Sequence, residues 1–146
     1  MRKIIIFFII TFALLSGCGE SPVKIESVEF GSFSGKEEIK FLPKTTFSRA
    51  HENNYGWLVI ATPVGAEIEV IEEIEAPVPT TWGEPTPSVQ ISENNLKATT
   101  TRTMAISKGG FIFSNWSTLP TDPIGIYKAK LIIKGKVVKE TLFTVE

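Results

Sequence analysis

Apolar and polar residues alternate with a period of two through most of the chain beyond residue 23, the pattern of strands that bury one face. Val28 and Phe30 share a face opposite Ser27 and Glu29, Gly31 and Gly35 bracket a turn around Phe33, and Ile39 and Phe41 resume the alternation until Pro43 interrupts it. Residues 55–62 are apolar on both faces and are expected at the middle of the core, after which Thr62-Pro63-Val64-Gly65 reads as a type I turn. Over residues 66–75, Ile68 and Val70 alternate with Glu67 and Glu69, while Ile68, Ile71 and Ile74 at every third position permit a helix. The strand is preferred, because its neighbours are strands and Pro77 closes it early.

Residues 76–88 break this pattern. Pro77, Pro79, Pro85 and Pro87 with Gly83 predict an extended surface loop carrying Trp82, either a crossover between two sheets or a polyproline II-like recognition segment. Val89 and Ile91 begin another strand. Leu96, Ala98, Thr100, Arg102, Met104 and Ile106 then fall on one face, opposite a wet face of Lys97, Thr99, Thr101 and Thr103. Lys108-Gly109-Gly110 turns the chain into a strand where Phe111 and Phe113 point the same way, and residues 115–125 read as a loop containing Trp116. Tyr127, Ala129, Leu131 and Ile133 oppose Lys128 and Lys130, Gly135 supplies the positive φ of a tight hairpin, and Phe143 and Val145 face inward at the end. The expectation is an all-β fold, an immunoglobulin-like antiparallel β-sandwich of about seven or eight strands, with a small barrel as the alternative.

The N-terminus follows a different rule. Arg2 and Lys3 precede an apolar run over residues 4–15 broken only by Thr11, the shape of a secretory signal peptide. A spanning helix needs roughly 20 apolar residues, more than this run supplies. Leu15, Ser16, Gly17 and Cys18 resemble the lipobox of bacterial lipoprotein precursors. That resemblance implies cleavage before Cys18, lipidation of its thiol and acylation of the new N-terminus by chains such as palmitate. The organisation expected is a signal peptide at 1–17, a lipidated tether at 18–22 and a β-sandwich domain at 23–146. Two or three acyl chains anchor stably where one is marginal. Cys18 is the one cysteine of the chain, and lipidation accounts for an unpaired thiol in an exported protein. Gly19 stands where lipoproteins retained at the inner membrane typically carry aspartate, so the resemblance favours the periplasmic face of the outer membrane.

Charge narrows the partners. Loss of Arg2 and Lys3 leaves 13 of the 15 basic residues against 16 acidic ones, a balance without the basic patch that nucleic-acid binding requires. Glu67, Glu69, Glu72, Glu73 and Glu75 on one segment, and Lys128, Lys130, Lys134, Lys136 and Lys139 on another, read as solvated strand faces. His51 is the sole histidine. It makes neither a zinc set nor, without a G-x-S-x-G elbow, a serine triad, and Glu72 with Glu73 is too common a pairing in acidic strands to indicate glycoside hydrolysis. No enzymatic activity, metal or cofactor is expected. The candidate binding residues are Trp82, Trp116 and Tyr55, aromatic groups bordering loops, since tryptophan and tyrosine are enriched where binding energy concentrates. Trp57, inside the apolar strand, is expected in the core.

Several landmarks resemble a family of bacterial envelope domains defined only as a domain of unknown function. They are Tyr55-Gly56, Pro63-Val64-Gly65-Ala66, Pro77, Phe113 with Trp116, Pro123-Ile124-Gly125-Ile126-Tyr127, Gly135-Lys136 and Phe143-Thr144-Val145. The resemblance implies a fold and no activity. The function expected is that of a lipid-anchored, non-enzymatic envelope protein that binds or scaffolds another envelope protein, an inhibitor or immunity lipoprotein being one form of it. A carbohydrate-binding module that stacks glycan on Trp82 and Trp116 is the alternative.

Overall fold

Alternation is realised as strands throughout the computed structural model, which describes residues 21–36, 38–51, 54–83 and 86–146. The strands are β1 (Lys24–Ser34), β2 (Lys40–Pro43), β3 (Thr46–Phe47), β4 (Asn54–Thr62), β5 (Glu67–Glu75), β6 (Val89–Ile91), β7 (Lys97–Ala105), β8 (Phe111–Ser117), β9 (Gly125–Ile133) and β10 (Lys136–Val145). They form a four-stranded sheet in the order β2-β1-β4-β8 and a six-stranded sheet in the order β3-β10-β9-β5-β7-β6. The all-β expectation holds, with ten strands among the described residues rather than seven or eight. The surplus comes from short edge pieces such as β3, whose two residues carry no periodic signal. β3 also pairs parallel to β10, so the second sheet is mixed rather than wholly antiparallel.

The core lies between the sheets and is rich in aromatic rings. Phe143 is surrounded by Phe30, Phe47, Tyr55 and Tyr127, with ring centroids 5.0–5.8 Å away. Trp57 packs edge-on against Phe30 at 4.9 Å, as its place in the apolar strand implied. Such pairs add about 0.5–1.5 kcal/mol each beyond their burial. Residues 66–75 resolve as strand, paired with β7 on one side and β9 on the other. Helical spacing of Ile68, Ile71 and Ile74 was incidental: Ile68, Val70 and Ile74 are buried, whereas Ile71 lies on the opposite face.

Four local expectations are corrected. β1 runs on through Phe33 to Ser34, so the turn begins only at Gly35, whose φ is +96°. The turn after β4 is closed by Ala66 N–H donating to the Pro63 carbonyl, one residue later than the proline-second register, and the Thr62–Pro63 peptide is cis. Residues 76–88 do not cross between sheets, because β5 and β6 both lie in the six-stranded sheet on either side of β7. Trp116 belongs to β8 rather than to a loop, opposite Tyr55 on β4. The β9–β10 hairpin forms as expected, with Lys134 and Gly135 both at positive φ.

Registry sorts the connections to two ends. Lys24 pairs with Thr62 and Ile60 with Phe111, placing the entering chain beside the 63–66, 107–110 and 134–135 turns. Asn54 pairs with Ser117 and Glu75 with both Lys97 and Lys128, placing residues 76–96 and 118–124 at the opposite end. The leader, the lipobox Leu15, Ser16 and Gly17, and Cys18 lie outside the described residues.

Candidate functional site

The three aromatic residues singled out by sequence come together at the end of the sandwich away from the entering chain. Tyr55, Trp82 and Trp116 line one small cleft of about 70 Å³ with Leu119, Asp122 and Tyr127. β4 and β8 present Tyr55 and Trp116 side by side from the four-stranded sheet, and the proline-rich loop folds Trp82 over them. Trp82 and Trp116 meet edge to face with centroids 6.3 Å apart. Trp82 Nε1 donates to the Asn95 carbonyl at 2.8 Å, and Thr80 N–H donates to the same carbonyl at 3.0 Å. The loop is thereby pinned to the β6–β7 turn.

The residues differ in what they offer a ligand. Tyr55 is 4 % exposed, so it is a core wall of the cleft rather than a loop residue at its rim. Trp82 and Trp116 are half-buried against the core. Leu119 and Ile124, from the loop after β8, are 50 % and 60 % exposed, and Val78 of the proline-rich loop is equally open. Leu119 lines the cleft, and sequence reading passed over these aliphatic residues because a single apolar residue in a loop carries no period.

Hydrogen bonds hold the 118–124 loop in place. Leu119 N–H donates to Asp122 Oδ2 at 2.8 Å, and Arg49 Nη1 donates to the Asp122 carbonyl at 2.8 Å. Tyr127 Oη donates to the Pro123 carbonyl four residues upstream at 2.8 Å. This is the tyrosine corner that recurs in immunoglobulin-like sandwiches. Burial pushes the Tyr127 phenol up to about 12, with Asp122 adding to the shift and Arg49 opposing it. Burial, with a further contribution from Asp122, also holds Tyr55 far above the ordinary phenol range. Both phenols are therefore neutral donors, unsuited to act as bases near neutral pH.

Behind the cleft lies a polar group that the sequence reading assigned to solvent. Glu72 is 1 % exposed and points between the sheets. Its Oε1 accepts from Ser114 Oγ of β8 at 2.5 Å, and its Oε2 accepts from Thr100 Oγ1 of β7 at 3.3 Å. The Trp116 indole faces the same carboxyl, but its buried Nε1 has no hydrogen bond of good geometry. Burial raises the Glu72 pKa, and the hydroxyls together with the charge of Arg102 only partly offset it. Glu73, by contrast, is on the outer face and pairs with Lys97 at 3.6 Å and Lys130 at 3.2 Å. The two neighbouring carboxylates thus lie on opposite faces of β5 and do not converge on one site.

Other expected features fall apart from the cleft. Backbone of His51 accepts from Thr118 Oγ1 at 3.2 Å. Phe111 and Phe113 do point the same way, but outward, since Ile112 and Ser114 are the buried pair. With Phe33 and Phe41 they cover the outer face of the four-stranded sheet, Phe33 lying 5.5 Å from Phe113 and 5.1 Å from Phe41. Among the described residues no group of three or more His, Cys, Asp or Glu side chains is placed to hold a metal ion.

Comparison with known proteins gives the fold a family. The PM0630 beta sandwich domain matches residues 28–146. An immunoglobulin-like protein (PA1606) from Pseudomonas aeruginosa is similar in structure, with a TM-score of 0.57 and 11 % identity over 88 % of this chain and 99 % of that one. At that identity the likeness is one of fold, and it makes the sandwich immunoglobulin-like. The Pseudomonas fluorescens alkylpurine DNA glycosylase AlkC, solved bound to DNA containing an abasic site analog, aligns with a TM-score of 0.42 and 10 % identity over 85 % of this chain and 30 % of that one. No curated protein matches the sequence.

Proposed function

This chain belongs to the PM0630 beta sandwich domain family, and from that footing we propose that it is a lipid-anchored, non-enzymatic binding module of the bacterial cell envelope, held at Cys18 and engaging another envelope protein. The observation that carries the reading is the convergence of Tyr55, Trp82 and Trp116 in one cleft, with Leu119 at its edge, at the end opposite the entering chain. An anchor at one end leaves the other end to meet a partner. Buried aromatic walls beside exposed aliphatic residues are the composition of protein-binding hot spots and their surroundings. The edge-to-face packing of the two indoles favours a protein over a glycan, because sugar rings stack on flat, open aromatic faces.

The test is photo-crosslinking in living cells of the source organism, with the reactive group at Leu119, at Ile124 and, as a control, at Thr101 on the outer face of the six-stranded sheet. One discrete protein adduct shared by Leu119 and Ile124 and missing at Thr101 is the expected result. Identical adducts at all three positions, or adducts to glycan alone, would overturn the protein-binding assignment.

A further inference from the structure

We propose that the end of the sandwich where the chain enters rests on an anionic phospholipid surface, so that the domain stands upright with its aromatic cleft facing away from the membrane. This inference builds on the lipid-anchor reading above. Three peptide units separate Cys18 from Ser21, a reach of at most about 10 Å. That is close to the Debye length of about 8 Å at physiological ionic strength. The charges of this end therefore lie where an anionic surface still acts on them.

Those charges are lysines at the tips. Lys24 opens β1, Lys108 sits in the β7–β8 turn, and Lys134 and Lys136 sit at the β9–β10 hairpin, all four exposed. Against them stand Glu20 of the tether and Glu67, which opens β5 beside the same turn, with Glu26 and Glu69 further along β1 and β5, so lysine outnumbers glutamate at the tips. Val64 and Val137, more than half exposed, sit at two of the same tips. Lysines beside protruding aliphatic side chains are what an interfacial contact uses, the ammonium groups at the phosphates and the apolar groups below them. Pro22 and Val23 line an open groove with Pro63, Glu67 and Lys134 among others, so residues 22 and 23 lie beside these tips. The far end mixes Glu38, Glu93, Asp122 and Glu146 with Lys36, Lys40, Arg49 and Lys97 on or beside its connections, so it offers an anionic surface no comparable excess of lysine. β-strands of this length hold that end roughly 30 Å away.

The experiment keeps docking separate from lipidation in the cell. Residues 18–146, which include the whole sandwich, are coupled through the Cys18 thiol to a maleimide lipid in vesicles. One set is phosphatidylcholine alone and the other is an equal mixture with phosphatidylglycerol. Amine acylation is followed lysine by lysine with mass spectrometry. Lys24, Lys108, Lys134 and Lys136 are expected to react roughly fivefold more slowly on the anionic vesicles, to recover at high salt, and Lys40 and Lys97 to react equally on both. In Lys108→Glu/Lys134→Glu the slowing at Lys24 and Lys136 should vanish. Equal rates on the two vesicle types, or slowing that persists in the double variant, would overturn the proposal. Labelled-palmitate incorporation at Cys18 in cells reports on the anchor alone.

Discussion

Ser114 Oγ lies 2.5 Å from Glu72 Oε1, a hydrogen bond that runs from one sheet of the sandwich to the other. Its energetics are set by burial. Burial raises the folded pKa of Glu72 above its unfolded value, so the folded chain holds that proton more tightly. The corresponding stability is fully present below the ordinary carboxylate range and is lost as pH rises through the raised value. Glu72→Gln, which cannot ionise, should flatten this dependence, with its advantage over the wild type growing as pH rises. Ser114→Ala should destabilise by about 1–3 kcal/mol, by stripping a partner from a buried carboxyl. Urea denaturation at a series of pH values checks both, and parallel pH profiles for the wild type and Glu72→Gln would contradict the account.

Two glycines should respond to alanine for different reasons. A Cβ on Gly31 would lie 2.2 Å from the Leu42 carbonyl oxygen, so Gly31→Ala must push β2 away and is expected to cost about 1–3 kcal/mol. Gly135 has open space around it, and its φ of +73° alone penalises a side chain. Gly135→Ala should cost about 1 kcal/mol. Amide hydrogen exchange distinguishes the two, since only Gly31→Ala should lower protection in β2.

Trp82→Ala removes both the indole packed on Trp116 and the hydrogen bond to the Asn95 carbonyl. A loss of about 2–3 kcal/mol is expected, below the range for a fully buried tryptophan because Trp82 is half-buried. Limited proteolysis should cut within residues 76–88 well before the sandwich unfolds. A variant that resists cleavage as the wild type does would show that the prolines alone hold the loop.

Cys18→Ser should abolish incorporation of labelled palmitate and release the protein from the membrane fraction, with the melting temperature of the domain unchanged. Retention of the label at wild-type level would remove the lipobox assignment.

Much of the sandwich was legible because a half-buried strand writes its orientation in every second residue. Tyr127, Ala129, Leu131 and Ile133 are all buried on β9, as their alternation with lysine implies. Glu72 shows the same signal overlooked: it shares parity with Ile68, Val70 and Ile74, whereas Glu67, Glu69, Glu73 and Glu75 alternate with them. Within an acidic segment, composition suggested a wet face while position already placed Glu72 inside. The meeting of Tyr55, Trp82 and Trp116 could not be read locally, because it depends on the β4–β8 register and on how residues 76–88 fold back over the sheet. Asn115 made Trp116 look like a loop residue, and only pairing with β4 supplies the strand.

Lys139 of β10 donates its Nζ to the Val28 carbonyl of β1 at 2.6 Å. β2 pairs with β1 only from Gly31 onward, so Val28 lies along a stretch that β2 leaves uncovered. An ammonium group laid on this margin obstructs a foreign strand seeking to extend the sheet, and a charge facing such a strand is costly to desolvate. Polymerisation of the protein into fibrils through this flank therefore has to begin by dislodging one lysine, and replacing Lys139 with a short apolar side chain would leave the margin sticky without altering the core.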